Sequence, residues 1–280
     1  MSKTGSALSF EGNEHYARGL ARALAGAMIF GFPLMMTMEM WWLGFYLDRL
    51  RLLILLVVTI GTLVPLSYFV GFERTGTVLE DAIDAFVAFA IGATASATML
   101  LVFGLIEPGM SADEIVGKIA IQAVPASIGA VLARGQMGGD QSDSEQKQEK
   151  AGYGGQLFIA AAGAIFLAFN VAPTEEVVLI SYMMSPVQAI ILILLSIAGL
   201  YAFVYALNFH GGEDLPADVS WAVAIVRHSI AEYGIALLIS AYVLWTFGRM
   251  DGASLEQIVM MIVVLGFPAS LGAAAARLVI

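Results

Sequence analysis

Eight stretches of this chain run long and apolar, and nothing else in the sequence constrains its fold as strongly. They cover roughly Ala23–Tyr46, Leu52–Phe72, Ala82–Ile106, Ile115–Leu132, Leu157–Tyr182, Val187–Leu207, Trp221–Phe247 and Ile258–Ile280. A helix needs about 20 apolar residues to cross the ~30 Å hydrocarbon core of a bilayer, and each run approaches or exceeds that length. In lipid every backbone polar group must be satisfied within the chain, so only helices and closed barrels can span. Barrel strands would alternate polar and apolar residues over about ten positions, whereas these runs are continuous. The sequence predicts an all-α polytopic membrane protein with eight transmembrane helices.

Composition agrees. Only 13% of the 280 residues are charged and 59% are hydrophobic, against about 25% charged in a soluble domain. The absence of cysteine rules out disulfides, thiolate metal sites and cysteine nucleophiles. The net charge of −10 comes from acids in short loops and one linker, and no nucleic-acid partner is expected. Residues 1–22 carry Lys3, Glu11, Glu14, Arg18 and Arg22 without a separate apolar core, so no cleavable signal peptide is read there. Lys and Arg in short loops set orientation. With the N-terminus inside, Lys3, Arg18, Arg22, Arg74, Arg134, Lys147, Lys150 and Arg277 lie on the cytoplasmic side, and Arg49, Arg51 and Arg249 lie outside. The expected address is a bacterial inner membrane with both termini cytoplasmic.

The chain repeats itself. "VPASIGAVLARG" from Val124 returns as "FPASLGAAAARL" from Phe267, an offset of 143 positions. "GAMIFGFPLMMTMEMWWLGFY" from Gly26 lies without a gap over "GAIFLAFNVAPTEEVVLISYM" from Gly163, which sets Thr37 on Thr174 and Glu39 on Glu176. "SADEIVGKIAIQAVPAS" matches "SLEQIVMMIVVLGFPAS", and Phe103-Gly104 answers Phe247-Gly248. The reading is two four-helix repeats, residues 1–135 and 153–280, joined by a polar cytoplasmic linker, residues 136–152. An even helix count per half makes the repeats parallel, a layout found in secondary transporters with the site between the halves.

Pro125, Ser127 and Gly129, with their counterparts Pro268, Ser270 and Gly272, read as helix-packing positions. Small residues let helix backbones approach closely in lipid, and each proline removes a helix hydrogen bond. Arg134 and Arg277 are expected to close their helices among the cytoplasmic headgroups.

Charge inside a span costs about 2.5–3.5 kcal/mol per residue on insertion scales and marks a candidate functional group. Glu39 and Glu176 are the leading pair, each two residues after a threonine, Thr37 and Thr174, with Pro33 and Pro173 nearby. Side chains two apart on a regular helix point about 200° away from each other. Thr37 and Glu39 can therefore share a ligand only if the helix loosens. Two carboxylates facing one axis would need a cation or a shared proton; the plain alternative is a buried acid that fixes packing. Glu175 has no repeat partner and is read as ligating beside Glu176 or, as the alternative, pointing toward an aqueous vestibule. Asp81 and Asp84 open the third run, and His228 falls near Asp84 in the seventh. His228 and Glu232 share a helix face and could relay a proton or form a static pair. Lys118 is expected to snorkel to the outer headgroups. Trp41, Trp42, Phe45, Tyr46 and Trp245 read as an interfacial belt. The methionines of "PLMMTMEMW" read as packing or lining rather than soft-metal ligands.

Two adjacent glutamates on an eight-helix chain raise the comparison with glutamate-type intramembrane proteases. That family pairs its acids with an Arg four residues after the second, and Ile180 stands there instead. His15 and His210 lie at span edges, which leaves only His228 well inside, and no HExxH, GxSxG, Walker or dinucleotide motif occurs. The stretches "GFP..MT.EMWW" and "FPAS.G" resemble a family of uncharacterised bacterial integral membrane proteins of similar length; the resemblance implies a bacterial inner membrane and no activity. The function expected from the residues is a cation or proton channel or transporter, without enzymatic activity or cofactor. Its partners would be the lipid bilayer and an inorganic cation or proton, and a homo-oligomer is compatible with it. The alternatives are a non-transporting scaffold or sensor with structural glutamates, and an intramembrane hydrolase using Glu175, Glu176 and His228 with zinc.

Overall fold

The computed structural model describes the backbone of residues 4–70, 77–137, 152–206 and 228–279, with side chains over 17–69, 77–133, 152–204 and 228–277. The expectations for Arg74, the Arg134 side chain, residues 138–151 of the linker, His210 and residues 221–227 lie outside the described residues. Among the described residues the chain is helical, without strands.

The order is α1 (Thr4–Met35), α2 (Met38–Tyr46), α3 (Arg49–Val70), α4 (Val78–Val102), α5 (Ala112–Met137), α6 (Tyr153–Val171), α7 (Glu175–Met183), α8 (Pro186–Tyr201), a π turn (Ala202–Ala206), α9 (Ile230–Thr246) and α10 (Leu255–Val279). Among the described residues six stretches are long and apolar enough to cross a bilayer: Arg49–Phe69, Val78–Val102, Ala112–Ala133, Tyr153–Val171, Pro186–Val204 and Leu255–Arg277. The number becomes seven if α1 and α2 form one bent span. Where eight spans are expected, the described residues hold six or seven. The first apolar run breaks within itself, and α9, the described part of the seventh run, is apolar but shorter than these spans.

Two compact units emerge. Residues 1–45 and 56–144 form one; residues 46–55 and 145–280 form the other. In the first unit α1, α4 and α5 pack against one another. A Cβ on Gly26 would collide with Ala133 and the Gly129 carbonyl, so α1 and α5 touch nearly backbone to backbone. Gly92 of α4 lies equally close to α5, where an added Cβ would stand 2.7 Å from the Ser127 nitrogen. In the second unit α6, α9 and α10 pack together, and α7 and α8 lie against α10. Here Gly163 meets Gly272 and Ala276. Close approach of small residues is what drives helix association where lipid offers no hydrophobic gain. α5 and α10 each run through their proline, Pro125 and Pro268, as single helices.

The helix ends have local causes. Thr77 and Glu80 form a capping box at the start of α4, and Ser185 and Gln188 form one at α8. Gly104 and Gly248 sit at φ 70° and 72°, just past α4 and α9. The amides of Leu105 and Arg249 reach back to the carbonyls of Leu100 and Leu244, closing both helices with a Schellman turn. The repeated Phe-Gly pair thus encodes a helix stop, because only glycine adopts that left-handed conformation at little cost.

Candidate functional site

The helix breaks stand directly before the two repeated acids. α1 ends at Met35, and the axis turns by 88° into α2. Pro33 withholds one amide from the last turn of α1. The carbonyls left at the broken end find side-chain donors: Thr37 Oγ1 donates to Leu34 O at 2.7 Å, and Trp41 Nε1 donates to Met35 O at 2.7 Å. Glu39 then lies in the first turn of α2, half-buried. The loosening that Thr37 and Glu39 would require is present as a complete break.

The second unit repeats the arrangement with different partners. α6 ends at Val171, and Thr174 Oγ1 donates to Val171 O at 2.9 Å. Thr174 is the N-cap of α7, and Glu175 and Glu176 occupy its first turn, both exposed. An acid in a first turn is favoured by the free amides and the positive end of the helix dipole. Glu176 is held below the ordinary carboxylate range, first by the Thr174 hydroxyl, then by a backbone amide and by the charge of Arg249. Glu39 and Glu176 are thus first-turn acids of short helices, Glu39 half-buried and Glu176 exposed. Glu175 is exposed and pairs with Arg249 at 2.5 Å. Arg249 also donates to the Pro173 carbonyl, binding the loop after α9 to the break between α6 and α7.

The other candidates lie at the starts of α4 and α9 and near the end of α10. Asp81 is buried and Asp84 half-buried in the first two turns of α4. Glu232 in α9 is paired with Arg277 of α10, both side chains 1% exposed. The headgroup position expected for Arg277 is corrected: its guanidinium turns inward because a buried carboxylate waits there. His228 packs edge-on against the Tyr153 ring, with centroids 5.5 Å apart.

The packing candidates Ser127, Gly129, Ser270 and Gly272 all lie within the helix contacts of their own unit, the two serines donating to the carbonyls of Val124 and Phe267. Lys118 does not reach outward. It is buried, with Nζ donating to Glu114 at 2.8 Å, Leu105 O at 3.1 Å and Met110 S at 3.6 Å. The methionine run divides: Met35 and Met40 are fully buried, while Met36 and Met38 are exposed. Among the described residues no three His, Asp or Glu side chains gather as a metal site would require. Sequence reasoning missed Arg249 and Arg277 as partners of the acids, since no spacing along the chain links residues 45 or 74 positions apart.

A family model described as "Putative integral membrane protein (DUF2391)" matches residues 19–280. No curated protein and no solved structure matches the chain.

Proposed function

We propose, from the premise that the chain belongs to the DUF2391 family of integral membrane proteins, that it moves a small cation or protons across a bacterial inner membrane, with both termini cytoplasmic. Glu39 and Glu176 are the ionisable groups the permeating species meets, one from each repeat. One observation carries the reading: both copies of the Thr-X-Glu element begin a short helix immediately after a break. Broken helices whose ends face a substrate or coupling ion are a recurrent device of secondary transporters. The repeat is supported by matching contacts, Gly26 with Gly129 and Ala133, and Gly163 with Gly272 and Ala276, together with the paired Phe-Gly helix stops.

Flux in liposomes tests this. The purified protein should dissipate a proton or monovalent cation gradient, and Glu39→Gln with Glu176→Gln should abolish that flux while thermal unfolding stays unchanged. Full flux in the double variant would remove both acids from the pathway.

The non-transporting scaffold gains one specific observation. Glu175 is already neutralised by Arg249, and the Glu176 carboxyl is held below its ordinary range by its surroundings at the start of α7. On that reading the same double substitution lowers thermal stability, and neither protein shows flux.

A further inference from the structure

The geometry points to a binding site for an organic ammonium group in the first unit, in a cavity of about 380 Å³ walled by α2 and the segment joining α4 to α5. Trp41, Trp42 and Phe45 line it together with Glu107, Glu114 and Lys118. The three aromatic residues share one face of α2, because Trp41 and Phe45 are four positions apart and Trp42 and Phe45 three. Gly44 lets α2 lie against the backbone of α5 at Lys118, where an added Cβ would stand 2.6 Å from the Lys118 Cα.

The charge balance selects the occupant. The ammonium of Lys118 is engaged by Glu114, the Leu105 carbonyl and the Met110 sulfur, so that lysine and glutamate cancel. Among the described residues no ion pair holds the exposed carboxylate of Glu107, which leaves the lining net negative. Aromatic faces beside a carboxylate attract a weakly hydrated cation, and quaternary ammonium groups are recognised in this way. The volume lies within the roughly 300–1,000 Å³ of small-molecule sites.

The second unit supplies an internal contrast. By the repeat, Trp41, Trp42 and Phe45 correspond to Val178, Leu179 and Tyr182, while Glu114 and Lys118 correspond to Gln257 and Met261. There Gln257 Nε2 donates to Ser181, the counterpart of Gly44, at 2.6 Å. Packing of the short helix on its long neighbour is kept in both units, but the aromatic and charged lining belongs to the first. Packing alone therefore does not require that lining.

The inference stands apart from the transport reading, since none of the acids assigned to the pathway lines the cavity and the test measures binding. The full-length protein in non-ionic detergent would be titrated with tetramethylammonium chloride against sodium chloride of equal ionic strength, read by tryptophan fluorescence. Two of the four tryptophans line the cavity. A saturable response specific to tetramethylammonium is expected. Glu107→Gln and Trp42→Leu, both at exposed positions, should each weaken it at least about ten-fold with thermal unfolding unchanged. No saturable response, or the same affinity in both variants, overturns the site. Nanodiscs identify the source of the ammonium group. A response in phosphatidylglycerol that vanishes in phosphatidylcholine assigns the site to a lipid headgroup, and a response in both assigns it to a free cation. No response in phosphatidylglycerol overturns it.

Discussion

Arg277 and Glu232 form an ion pair between α10 and α9 with both side chains 1% exposed. Neither charge would be tolerated there alone. The attraction between the two, with the hydrogen bond that Arg277 Nη1 donates to Glu232 Oε1, offsets the loss of water. Breaking a buried pair by removing one partner costs about 3–5 kcal/mol, whereas replacing both by apolar groups can be neutral. Arg277→Met alone should therefore sharply lower the midpoint of thermal unfolding in detergent. Arg277→Met combined with Glu232→Leu should recover most of the loss. A single variant as stable as the parent would show that the pair carries no weight.

The α6–α10 contact gives a second expectation. Gly163 has no room for a methyl group beside Gly272, whereas nothing lies within 4 Å of the Cβ position at Gly234 in α9. Gly163→Ala should cost about 1–3 kcal/mol through forced separation of the helices. Gly234→Ala should leave stability unchanged or raise it by up to about 1 kcal/mol. Equal effects in a thermal unfolding comparison would contradict the close approach.

Arg249 and Glu175 are unequal partners. The Arg249 side chain is 11% exposed and donates to the Pro173 carbonyl, while the Glu175 side chain is 71% exposed. Arg249→Gln should cost about 1.5–3 kcal/mol, the range for hydrogen bonds to charged groups. Glu175→Gln should cost no more than about 1 kcal/mol, as for exposed pairs. Limited proteolysis of the segment around Pro173 would follow the same order, and the reverse order would refute the assignment.

The Arg51 guanidinium donates to both carboxylate oxygens of Asp251 at 2.8 Å and lies 5.2 Å from the centre of the Trp245 ring. That guanidinium holds the Asp251 carboxyl below its ordinary value of 3.8. A depressed acid contributes stability that is complete above the unfolded value and is lost as pH falls through the folded one. The contribution should therefore be constant near neutral pH and disappear in acid below about 3.8. Asp251→Asn should remove that acid dependence and leave stability at pH 7 lower by about 0.2–1 kcal/mol. Thermal unfolding from pH 7 down to pH 3 would check it; an unchanged acid limb in the variant would assign the dependence to other groups.

Much of the local structure is legible in the chain itself. The apolar runs specify helices that suit a bilayer, because in lipid the backbone has few other solutions. Gly129 and Gly272 announce close helix contacts, and the repeated Phe103-Gly104 and Phe247-Gly248 mark matching places in the two halves. Pro33 and Pro173 mark weak points beside the acids. All of these act through the backbone within a few residues, so linear spacing is enough to read them.

Tertiary structure alone decided where the long charged side chains went. Arg277 turned inward to Glu232, Arg249 reached Glu175 and the broken helix end, and Lys118 folded back onto Glu114 and Leu105. A proline permits a bend but does not set its 88°, and nothing in the spacing says that Trp41 will take the carbonyl of Met35. Flexible side chains choose partners by the distances between helices and by each helix's rotation about its axis. Those quantities come from packing the whole unit, and no stretch of the chain contains them.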